Sequence, residues 1–95
     1  MEDLENLLKL KHKLVHERTI TNNVIYTIQE LSELTKVLTN LLLDNGKFHF
    51  EDLVEEMSHC LLMIDAIKLR FNIPKSKIEL HQLQALYKCF KGGME

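Results

Sequence analysis

Glycine and proline are nearly absent: the 95 residues hold three glycines and one proline. So few breakers leave the chain little interior punctuation, and the stops stand out. Two cysteines, Cys60 and Cys89, are too few for a disulfide framework. Both sit in apolar helical patterns, so both are expected to be small buried hydrophobes in a reducing, cytoplasmic setting. No stretch approaches the roughly 20 apolar residues of a membrane span, and the mixed-charge opening MEDLENLLKLKHKL does not read as a signal peptide. Nor is there a basic excess. The net charge of −2 and the lack of a basic stripe argue against a nucleic-acid or membrane-surface partner. A Gly-rich phosphate loop, a nucleophilic triad and a zinc cluster are all missing, and His12, His16, His49 and His81 show no metal-ligand spacing.

What is present is helical periodicity. The composition, 45% hydrophobic and 27% charged, is that of an ordinary globular domain. No period-two strand pattern appears. The spacing predicts a first helix over about Asp3–Val15, with Leu4, Leu7, Leu8, Leu14 and Val15 on one side. HERTITN breaks it, and Thr21 is the expected N-cap of a second helix over about Asn22–Asp44. Its apolar stripe runs through Val24, Ile28, Leu31, Leu34, Leu38, Leu41 and Leu42, and Asn45-Gly46 is its stop. A third helix is expected over about Glu51–Phe71, opened by two acids as the helix dipole favours and ended by Asn72-Ile73-Pro74. A fourth, over about Lys77–Phe90 with Ser76 as cap, carries Leu80, Leu83, Leu86, Tyr87 and Phe90 on one face, and Gly92-Gly93 closes the chain. The expected fold is therefore all-α: one domain over residues 1–95, an antiparallel bundle of about four helices. A chain this short buries a limited core, so two or more copies are expected to pack together as a homodimer or homotetramer.

Two clusters of acids stand out against these stripes. Glu30 and Glu33 fall within about 60° of each other and flank the apolar stripe of the second helix. That position is compatible with a solvated edge or with an inward-facing pair. Glu56 is harder to place in water. It sits inside the stripe formed by Leu53, Met57, Cys60, Ile64, Ile67 and Phe71, with Asp52 and His59 beside it. A carboxylate there needs a partner, a proton or a cation. If the two long helices pair antiparallel, Glu30 and Glu33 can meet Glu56 and His59. Converging carboxylates repel unless a divalent cation neutralises them, and oxygen ligands suit Mg²⁺ or Mn²⁺. Such an ion is commonly shared with substrate phosphates.

The motifs QELSEL at 29–34 and EEMSHCLLMID at 55–65 resemble those of the MazG-like all-α nucleoside triphosphate pyrophosphatases. The resemblance covers roughly residues 20–72. It implies an enzyme that converts a nucleoside triphosphate, ribo or deoxy, to the monophosphate and pyrophosphate, with Mg²⁺ (Mn²⁺ the alternative) held by four acids. The first two fall on Glu30 and Glu33, either of which would orient or deprotonate the attacking water. The third falls on Glu56. Where the family has a fourth acid, an aspartate, this chain has His59, a poor ligand for Mg²⁺ and a good one for softer ions. His59 would then assist catalysis, or Asp52 or Asp65 would substitute, helix geometry favouring Asp52. On the last helix, Lys88 and Lys91 are the weak counterparts of the family's phosphate-binding residues. The alternative reading is a catalytically degenerate helical module that binds or regulates.

Overall fold

The structure, a computed structural model, describes residues 2–91, with the side chains of Glu2, Leu14, His16 and Lys91 outside the description. Four helices account for nearly all of it: α1 (Glu2–His16), α2 (Ile20–Leu43), α3 (Phe50–Arg70) and α4 (Lys75–Lys91), with no strand among the described residues. The expected all-α class holds. None of these helices is long and apolar enough to cross a membrane.

The helix ends shift by one or two residues from those expected, each for a local reason. Thr19, not Thr21, caps α2. Its backbone is extended, and its hydroxyl accepts the Asn22 N–H at 3.1 Å, so the helix begins two residues early. At the other end the left-handed residue is Asp44 (φ 50°, ψ 47°), which stops α2 before the Asn45-Gly46 pair is reached. The α3 terminus forms a Schellman motif. Asn72 takes φ 54°, the Ile73 N–H bonds the Lys68 carbonyl at 2.9 Å, and the Asn72 N–H reaches Leu69. After Pro74 the chain re-enters a helix at once, because the Pro74 carbonyl accepts the Lys77 and Ile78 N–H groups; Ser76 lies inside α4 and does not cap it.

Packing is unequal. The α2 and α3 helices form an antiparallel hairpin, with Glu30 opposite His59 and Cys60, and Arg18 opposite Arg70. The α1 helix lies against α3 and is fastened by the Lys11–Asp65 ion pair at 3.0 Å. Arg70 Nη2 donates to the Arg18 carbonyl at 2.6 Å, while the Arg18 guanidinium sits over the Tyr26 ring, which ties the α1–α2 turn to the end of α3. Among the described residues the buried apolar ones are few: Val15, Cys60, Met63 and Ala66. Among the described residues α4 forms no packed interface with another helix. Its stripe of Leu80, Leu83, Leu86, Tyr87 and Phe90, expected to pack, is exposed, and so is Cys89, against the expectation that both thiols are buried. Met57, a member of the apolar stripe read along the third helix, is likewise exposed.

Of the stripe expected along α2, only Leu34 lies in the seam, and Leu41 is exposed with the rest. Asn23, Thr27, Glu30, Leu34 and Val37 turn toward α3 and are at least half-buried. Val24, Ile28, Leu31, Leu38 and Leu42 lie about 90° round the helix and are exposed. The residues that form the inner row include three polar ones, which is why the hairpin seam carries a polar site.

Candidate metal centre

At 100° per residue, Asn23, Thr27 and Glu30 are spaced i, i+4, i+7 and share the seam face of α2. Thr27 satisfies its hydroxyl on the Asn23 carbonyl at 2.7 Å. Glu30 has no such local outlet, and its carboxylate crosses to α3. There His59 and Glu56, three residues apart on one helical face, present their side chains to it. His59 Nδ1 lies 3.2 Å from Glu30 Oε2 and 3.8 Å from Glu56 Oε2. The backbone carbonyl of Glu30 also accepts from Cys60 Sγ at 3.2 Å, which fixes the register of the two helices at this level.

One donor atom from each of Glu30, Glu56 and His59 lies within 4.8 Å of the others, and all three residues are half-buried. In an octahedral Mg²⁺ or Mn²⁺ shell, neighbouring donors stand about 3 Å apart. The separations of 3.2 and 3.8 Å approach that edge length, so small side-chain rotations suffice to close the three donors round an ion. The donor set of two carboxylates and one imidazole fits a divalent cation, more readily Mn²⁺ than Mg²⁺ because of the nitrogen ligand.

Glu56 is the electrostatic centre of the group. Its side chain is only 18% exposed, and its Oε2 is buried with no hydrogen-bond partner. Burial pushes its carboxyl above the ordinary 4.5. A hydrogen bond shared with Glu30, which requires a proton between the two carboxyls, and the charges of Glu30 and Glu33 push the same way; the charge of His59 opposes them. A cation would take over that compensating role. Burial also raises the Cys60 thiol, helped by the charges of Glu30 and Glu56.

The remaining candidates lie outside this triad. Glu33 is exposed, one turn along α2 from Glu30, close enough for its charge to act on Glu56. Asp52 is exposed and does not join the group, and Asp65 is engaged by Lys11 at 3.0 Å and Lys68 at 3.8 Å. Lys88 is exposed on the unpacked α4, and the side chain of Lys91, like the Gly92-Gly93 pair and the side chain of Leu14, lies outside the described residues. Asn23 was not legible as part of the seam from its residue type, though its spacing to Thr27 and Glu30 carries the signal. It is fully buried, and neither its amide nitrogen nor its oxygen has a partner.

Comparison with known proteins adds no relative: no protein-family model matches the chain, and no match is found among curated proteins or solved structures.

Proposed function

We propose that this chain is a nucleoside triphosphate pyrophosphohydrolase of MazG-like type, which cleaves a ribo- or deoxynucleoside triphosphate to the monophosphate and pyrophosphate. The observation that carries the reading is the meeting of Glu30, Glu56 and His59 across the α2–α3 seam, with a buried carboxylate oxygen left unpartnered. These three residues would hold a divalent cation, Mg²⁺ or Mn²⁺. When bound, such an ion offsets polyphosphate charge and lowers the pKa of a coordinated water. The protein's own residues divide the remaining work. Glu56, held among like charges, trades its raised proton affinity for ligation. Glu33, exposed beside the triad, would orient a water and take its proton. His59 stands where the fourth acid of the resembled family would be. Assembly into dimers or tetramers belongs to the same reading.

A second reading is favoured by one specific contact. The His59–Glu30 hydrogen bond pairs two of the three side chains without an ion, an arrangement that also suits helices serving a binding or regulatory module. One experiment separates the two: pyrophosphate release from a panel of NTPs and dNTPs, with Mg²⁺ and with Mn²⁺. Turnover that depends on the ion and disappears in Glu56→Gln supports the enzyme. Folded protein that shows no turnover with any nucleotide or ion ends that reading in favour of the module.

A further inference from the structure

We infer that Arg18, held over the Tyr26 ring, is a phosphate-binding residue of this site, and that it receives the part of a polyphosphate which the cation leaves uncovered. The inference rests on the proposed function and names a substrate contact for it. It starts from a charge imbalance. A triphosphate carries more negative charge than one divalent ion offsets, and Glu30, Glu33 and Glu56 add charge of the same sign. Sites that act on phosphoryl groups complete the balance with Lys or Arg. Lys88 is carried on the unpacked α4, and Lys11 and Lys68 are both engaged by Asp65.

Arg18 is the cation that the fold brings to the side on which the triad opens. Counted round α2 from Glu30, Tyr26 lies at about 40° and Glu33 at about 60° in the same sense, and Tyr26 is one turn, about 6 Å, nearer the helix start. On α3, His59 is rotated from Glu56 by about 60° in that sense too. The helices run antiparallel, so equal senses bring Tyr26, Glu33 and His59 to one side of the hairpin. The Arg18 guanidinium stands 4.3 Å from the centroid of the Tyr26 ring, which carries it to that side.

The guanidinium is held ready for an anion. Arg18 is half-buried, and among the described residues its donors meet no carboxylate and no other acceptor; the Tyr26 ring is its partner. Glu17, next to it in the chain, turns instead to Lys13 at 4.0 Å. Arg70 Nη2 donates to the Arg18 carbonyl at 2.6 Å, which fixes the turn through its backbone, and Arg70 Nε is buried and unpartnered. Two arginines and the start of α2, whose first turn carries no acid, thus gather positive charge at this end of the seam. The site side of the hairpin is bipolar, with carboxylates for a cation at one level and an unpaired guanidinium toward the start of α2. That polarity fits a polyphosphate bridged to an ion, and the planar fork of an arginine suits its oxygens.

Calorimetric titration of inorganic triphosphate into the full chain, with Mn²⁺ present, tests this without requiring turnover. Arg18→Gln should weaken binding about 10- to 100-fold. Arg18→Lys should weaken it less, because the charge survives and only the fork is lost. Lys36→Gln removes an equal charge from an exposed position of α2 and should leave the affinity unchanged. The rise in melting temperature with Mn²⁺ should be the same in Arg18→Gln as in wild type, since the ligands of the ion are untouched. Where Arg18→Gln loses its helical circular dichroism, the side-chain Nε–Hε resonance of Arg18 in the wild-type chain replaces it and should shift as triphosphate is added. A wild-type chain that does not bind triphosphate, full affinity in Arg18→Gln, an equal loss in Lys36→Gln, or a resonance that stays in place overturns the inference. So does a lost Mn²⁺ response in Arg18→Gln, which would make the arginine a support of the fold. The proposed function fails separately: triphosphate binding through Arg18 with no pyrophosphate released from any nucleotide keeps this inference and ends the enzymatic reading. Turnover that is unchanged in Arg18→Gln does the reverse.

Discussion

His59 Nδ1 lies 3.2 Å from Glu30 Oε2 across the seam of α2 and α3, and the same nitrogen is 3.8 Å from the carboxylate of Glu56. One imidazole thus stands between two acids from different helices. An ion that replaced its proton would find three donors already gathered.

Metal binding should be visible as stability. An ion that binds only the folded chain raises the melting temperature by mass action. Titration with Mn²⁺ is expected to give the larger rise, Mg²⁺ the smaller. Glu56→Gln and Glu30→Gln should each abolish it and lower pyrophosphate release by more than the roughly 10–100-fold typical of losing an outer-shell partner. Thermal shifts unchanged in both variants would show that the triad does not bind the ion.

The pH dependence has a definite sign. Glu56 titrates above its ordinary 4.5 in the folded chain. The folded state therefore holds this proton more tightly than the unfolded state, and its contribution to stability is present at low pH and lost as pH rises through the folded value. Without metal, the Glu56→Gln variant should lose less stability than wild type over that interval. Metal affinity should run the opposite way and strengthen with pH, because the ion competes with the proton. Urea denaturation at a series of pH values, with and without Mn²⁺, measures both slopes.

Asn23 is buried with its amide unpartnered, which leaves a desolvation cost of about 1–3 kcal/mol unanswered. Replacement by leucine keeps the shape and removes the polar atoms. Asn23→Leu should raise stability by about 1 kcal/mol, or about 4–8 °C in melting temperature for a chain of this size. A fall of the same size would mean that the amide serves a buried water.

The two thiols should react at different rates. Cys89 is exposed, whereas Cys60 is buried, donates to the Glu30 carbonyl and has its thiolate disfavoured by burial and two nearby carboxylates. Under native conditions near pH 8, a disulfide reagent should modify one thiol rapidly and the second only on unfolding. Peptide mapping should place the rapid label on Cys89. Equal rates would contradict the packing of α3 against α2.

Much of the fold was legible in the residues. Four helical segments follow from apolar spacing and from the scarcity of glycine and proline, and the acids that open α3 are where the helix dipole favours them. Glu56 stood out because it interrupts an apolar stripe, and it is the member of the triad with the buried, unpartnered oxygen. The helix starts were less legible. Thr19 and Thr21 are both competent caps in one polar turn, and only the backbone path decides which hydroxyl reaches an orphan N–H.

Which residues share a face of each helix follows from the order of residues alone, because the angle between two positions is set by their separation along one chain. It therefore put Glu30 beside Glu33, and Glu56 beside His59. How each helix is rotated against its neighbour was settled by packing. Rotation of α2 turned Glu30 into the seam, left Glu33 in solvent and pointed a second leucine row outward. The unpacked α4 kept Cys89 and a full apolar stripe exposed. The physical reason is that periodicity fixes differences of angle within a helix, whereas the absolute orientation is chosen by the summed burial of whole surfaces against one another.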